Sequence, residues 1–305
     1  QLTVNTTGAT TFDGAIGGTT ALTSVTTNTG GTLNLNGGAV TTTGAQSYGE
    51  AATLGANTTL ASTGGGNIRF ADTINGAVAL NVNTTGATTF DGAVGGTTAL
   101  TSVTTNAGGT LNLNGGAITT TGAQTYGEAG TLGANTTLTS TGGAAIRFAN
   151  TIDGTYQLSV NTSGATTFDG AIGGTTALSS VTTNSGGTLA INGGSITTTG
   201  AQTYGEAATL GANTTLASTG GGAIRFADTI DGAYQLSVNT TGATTFDGAI
   251  GGTTALTSVT TNTGGTLVMN GGSITTTGTQ TYGEAATLGA NTTLASTGGG
   301  AIGFA

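Results

Sequence analysis

The feature that most constrains this chain is an internal repeat of about 78 residues, and self-similarity at a fixed period marks an array in which each unit covers its apolar face only by stacking on its neighbours. Phe12, Phe90, Phe168 and Phe246 share an FDGA context, and Tyr48, Tyr126, Tyr204 and Tyr282 share YGEA together with Glu50, Glu128, Glu206 and Glu284. The units run over 2–79, 80–157, 158–235 and 236–305, the last one incomplete. Both ends fall inside the pattern without an atypical capping unit, and no signal peptide precedes Gln1. The expectation is one continuous domain over 1–305, a window on a longer array, with any targeting segment outside it.

Each unit divides again. Leu2, Leu22, Val40, Leu60 and Leu80 open segments of about 20 residues, a spacing that suits one coil of a solenoid. A second apolar anchor follows in each at Phe12, Leu33, Tyr48 and Phe70. Within the anchors the alternation has period two: Leu33 and Leu35 face one way and Asn34 the other, while Ile68 and Phe70 face away from Arg69. That is strand patterning. Gly pairs such as Gly17-Gly18 and Gly37-Gly38 punctuate it as corners. The four units also act as an internal comparison. Leu35 becomes Leu113, Ile191 and Met269, all apolar, while its neighbour Asn34 drifts to Asn112, Ala190 and Val268. A packed interior imposes that difference.

These patterns predict an all-β fold, a right-handed parallel β-helix (β-solenoid) with about 20 residues per coil, four coils per repeat and about 16 coils in all. Residues about one coil apart then become vertical neighbours in a thin apolar column. The expected ladder is Leu2, Phe12, Leu22, Leu33, Leu35, Val40, Tyr48, Leu60, Ile68, Phe70, Leu80 and Phe90. Thr and Asn are expected outside, bonded along the axis.

Composition narrows the chemistry. The 305 residues contain no His, Cys or Pro, only three basic residues, and a net charge of −9. Three basic groups cannot neutralise a phosphate backbone, so nucleic acid is excluded as a partner, and no apolar run is long enough to insert in a membrane as a helix. Without Cys there is neither a disulfide framework nor a thiolate metal site. Without His or Cys, Ser-His-Asp and Cys-His catalysis are excluded, and the sparse charges recur with the structural period. No catalytic residue and no cofactor is expected.

One constellation is weighed as a metal site. Glu50, Asp72 and Asp91 hold similar offsets in three successive coils and would line one edge, a weak candidate for Ca²⁺. The competing reading is a solvated acidic edge partly neutralised by Arg69, and it is preferred because the GGxGxD calcium nonapeptide is absent. The sequons at Asn5 and Asn57, with their copies, are candidate glycan acceptors that Thr-rich composition alone also generates. TTT at Thr41 to Thr43, and its copies, would supply part of an ice-binding face.

The motifs GATTFDGAIGGTTALTSVTTN, GGSITTTGAQTYGEA and TLGANTTLAST, which with their copies cover essentially the whole chain, resemble the repeat regions of large bacterial surface proteins of the filamentous haemagglutinin type. The resemblance implies a secreted, Cys-poor β-helical stalk or fibre on the outer cell surface or outside the cell. It implies a structural role in adhesion, biofilm or extracellular filament formation, with self-association end to end or laterally, and any host or surface glycan engaged by regions outside these residues. An ice- or glycan-binding solenoid face is the alternative, and a carbohydrate-active solenoid enzyme the third reading. The residues themselves name neither a receptor nor an adhesive tip.

Overall fold

A computed structural model describes residues 1–305. The chain is all-β, without a helix, and parallel strands stack about 22 residues apart through about 14 turns of a β-solenoid. The expected fold class is thus the observed one, with turns slightly longer and fewer than the anchor spacing suggested. The strands are two to six residues long. The chain divides into two compact units, Gln1–Asn150 and Thr151–Ala305.

In Gln1–Asn150 three parallel stacks enclose the interior. One runs through Leu2, Val25, Gln46, Ile68, Thr88 and Leu111. The second runs through Thr10, Leu33, Ala52, Ile74, Val94 and Ile118. The third runs through Ile16, Val40, Leu60, Val82, Thr105 and Tyr126. Steps along these stacks are uneven: Leu33 to Ala52 is a short one and Ile16 to Val40 a long one. The unit Thr151–Ala305 is built the same way, with one stack running Leu158, Val181, Gln202, Ile224, Thr244 and Leu267.

The backbone bonds of the strands run to the turns before and after them, so the peptide groups are satisfied without a wide core. Side chains then alternate in and out. Leu33, Leu35, Val40, Tyr48, Leu60, Ile68, Phe70, Leu80 and Phe90 are all at most 3% exposed. Leu2, Phe12 and Leu22 of the first turn, covered on one side only, are half-buried, whereas their copies Leu80, Phe90 and Leu100 are sealed. Burial therefore comes from the adjacent turn, at about 1.5–3 kcal/mol for each large apolar side chain.

Three walls enclose one narrow interior, as about three short strands per coil requires, but Phe12, Leu33 and Tyr48 do not pile over one another as the sequence reading expected. Phe12 lies over Leu35, and Leu35 over Leu54. Tyr48 instead stacks on Phe70, with ring centroids 4.8 Å apart, and Phe70 tilts against Phe90 at 6.2 Å. Tyr204, Phe226 and Phe246 repeat this pile at 4.7 and 6.3 Å. Such pairs add about 0.5–1.5 kcal/mol beyond area burial.

The repeat and the turn do not keep step. From Val181 the stack passes Gln202 and Ile224 to reach Thr244, three turns on; the chain then crosses a second wall at Ile250 before arriving at Val259 on the third. Val259 is the copy of Val181 one repeat later, so a repeat spans three turns and two walls rather than four whole coils. In Gln1–Asn150 likewise, Leu33 lies on the Ile74 wall and its copy Leu111 on the Ile68 wall. Each copy of a motif therefore moves one wall back around the solenoid.

Part of the extra turn length is local. Ile16 faces Val40 and Leu22 faces Thr42, so six chain steps oppose two and the Gly-Gly-Thr-Thr-Ala segment between them bulges outward. Gly17 opens this bulge at φ 69°, where a side chain would collide with the Thr41 carbonyl. That position needs glycine.

Candidate functional site

The chemistry-bearing side chains of each repeat gather in the sequence QxYGEA. In Gln46–Tyr48 the alternation turns Gln46 and Tyr48 inward, and both are fully buried. The Gln46 amide nitrogen donates to the Val40 carbonyl at 3.2 Å, to Thr42 Oγ1 at 3.2 Å and to the Ala61 carbonyl at 2.9 Å. Its Oε1 accepts the Tyr48 hydroxyl at 2.8 Å. Thr42 in turn donates to the Gly44 carbonyl. The same network surrounds Gln124, Gln202 and Gln280. Burial holds the phenols of Tyr48, Tyr126, Tyr204 and Tyr282 far above their ordinary range, so they stay neutral donors.

Two residues further on the chain turns a corner and buries a glutamate. Glu50, Glu128 and Glu206 are 1% exposed and Glu284 is 2%. One carboxyl oxygen accepts a buried threonine hydroxyl two turns away: Thr10 at 3.2 Å, Thr88 at 2.8 Å, Thr166 at 3.1 Å and Thr244 at 2.9 Å respectively. The second oxygen, Oε2, has no partner in any of the four. Desolvation pushes the carboxyls of Glu128 and Glu206 up to about 7, against the opposing pull of the Thr105 and Thr88 hydroxyls in one case and Thr183 and Thr166 in the other. Glu284 is raised for the same reason.

The acidic edge proposed from spacing is not assembled. Glu50 points into the core toward Thr10, Asp72 is exposed and accepts from the Thr73 amide, and Asp91 is taken by Arg69 Nε at 2.6 Å and by Asn114 at 2.6 Å. No three acidic residues surround a common point where a cation could sit. Sequence register placed the three acids in adjacent turns but could not tell an inward side chain from an outward one at a corner. Recurrence alone did not separate them, since Asp91 recurs in FDGA as regularly as Glu50 does beside Gln46 and Tyr48.

Outside, polar side chains bond to the adjacent turn. Asn36 donates to Asp13 at 2.7 Å, Asn112 to Thr89 at 3.1 Å, and Arg225 pairs with Asp247 at 2.6 Å. Of the two sequon classes, Asn57 accepts the Ala79 amide at 3.0 Å, and Asn5 is exposed. Of Thr41 to Thr43, the middle residue is buried in the Gln46 network, and the copy at Thr119 lies on a different wall. Shallow open grooves of about 230 and 200 Å³ lie at Asn83 and at its copy Asn239, lined by Thr, Ser, Asn and Ala. No helix is long and apolar enough to cross a membrane. Compared with family models, curated proteins and solved structures, the chain matches none.

Proposed function

We propose that the chain is a structural, non-catalytic repeat region of a bacterial extracellular fibre or adhesin stalk. It serves adhesion, biofilm or filament formation outside the cell and associates with further copies end to end or side to side. The observation that carries this reading is the destination of its polar groups. Backbone bonds run from turn to turn in every repeat, and the Asn, Asp and Arg side chains of the outer surface bond to adjacent turns. A chain organised this way transmits load along its strand stack. It can be lengthened by adding repeats without redesign of a core.

The low charge density leaves lateral contact unopposed over most of the surface, and a net charge of −9 disfavours nucleic acid as a partner. Electron microscopy with diffraction from the native material is the test. The reading expects filaments with a meridional spacing of about 4.8 Å, the distance between stacked strands. Discrete particles without that spacing, or turnover of a polysaccharide, would contradict it.

A further inference from the structure

We propose that Glu128, Glu206 and Glu284 are internal proton-binding sites, so that closing the core around them takes up protons from the medium. The argument rests on geometry. Each carboxyl is sealed from solvent, accepts a threonine hydroxyl through one oxygen and leaves the other unpaired. An unpaired buried anion is the costliest state such a group can take, and a proton on the orphan oxygen removes the charge. At Glu284 the Thr244 and Thr261 hydroxyls both lie beside the carboxyl and favour its charged form, but desolvation outweighs them.

No cation is turned inward to compensate. Around Glu206, the packed strands Ala165–Phe168, Ser180–Thr183 and Thr188–Ile191 carry no titratable residue. Tyr204 gives its hydroxyl to Gln202, Arg225 points outward to Asp247, and Asp231 is occupied by the Thr253 and Thr254 amides. The same strand sequences, ATTF and SVTT, flank Glu128 and Glu284. The strands stacked on their Tyr residues carry Arg147, which is exposed, and Gly303.

Composition makes the proposal readable. With no His, Cys or Lys, no imidazole, thiol or lysine amine competes in the readout. The sign follows from the raised carboxyls. The folded chain holds protons that the unfolded chain has released, so their contribution to stability is complete below about pH 4.5 and lost as pH rises through about 7.

The test is denaturant unfolding of the full chain from pH 5 to 8, compared with a variant carrying Glu→Gln at positions 50, 128, 206 and 284. The wild-type midpoint is expected to fall across this range while the variant stays flat. Equal slopes in the two proteins would overturn the proposal. Should the variant not fold, ¹³C NMR titration of the Glu carboxyls in the wild type decides. Midpoints near 7 for Glu128 and Glu206, with Glu284 also raised, support the sites. Midpoints near the ordinary value of 4.5 for all three refute them.

Discussion

Two polar clusters lie side by side inside every repeat, and they are buried to the same degree but satisfied differently. Gln202 shares its amide hydrogens among three acceptors and accepts one bond, all from partners that never change charge. Glu206 accepts the Thr166 hydroxyl through one oxygen and leaves the other bare. The first cluster cross-links the core under any condition in which the protein folds. On the proposal above, the second is satisfied fully only when a proton is supplied. A narrow solenoid interior can thus hold polar groups in two ways, as permanent ties and as conditional ones, and the chain uses both at one corner.

The comparison can be broken most severely at the permanent tie. Gln202→Ala strips the Tyr204 hydroxyl of its acceptor, opens a cavity and removes a second bond from the Ile196 and Ala217 carbonyls, which keep their ladder bonds. An unmet buried group costs about 1–3 kcal/mol and the cavity adds to it, so the variant should lose about 2–4 kcal/mol in denaturant unfolding, equally at pH 5 and pH 8. A pH-dependent loss would show that the two clusters are not independent.

A smaller effect of opposite sign is expected at the conditional tie. Glu206→Gln removes a buried charge while keeping the shape, and should stabilise the protein by about 1–2 kcal/mol at pH 8 and leave it unchanged at pH 5. The smallest effect belongs to the surface. Arg225→Ala deletes an exposed ion pair to Asp247 and should cost less than about 1 kcal/mol, with the difference shrinking at high salt. The fourth repeat already carries Gly303 at the equivalent position.

The wall-forming residues were legible because strand alternation is a local signal. Leu33 with Leu35, and Ile68 with Phe70, read as inward pairs and are inward. The polar interior was harder to read. Thr88 and Thr166 are fully buried and serve the glutamates, yet threonine suits either face of a strand equally well. Glu50 was assigned to an outer edge because charged residues default to the surface; only the corner geometry turns it inward. Turn length was blurred by the bulge between Ile16 and Leu22: both belong to one wall, yet Leu22 reads as the opening of a new coil. The step of one wall per repeat follows from that blurred length, so anchor spacing alone could not reveal it.

The central claim is the winding itself, and the absence of cysteine permits a direct measurement. Spin labels on Thr182→Cys and Thr203→Cys sit on outward positions paired in adjacent turns, where strands are about 4.8 Å apart. Strong dipolar broadening is predicted for that pair. Labels on Thr182→Cys and Thr260→Cys, equivalent positions one repeat apart but on different walls, should show none. Broadening in the second pair and its absence in the first would contradict the account.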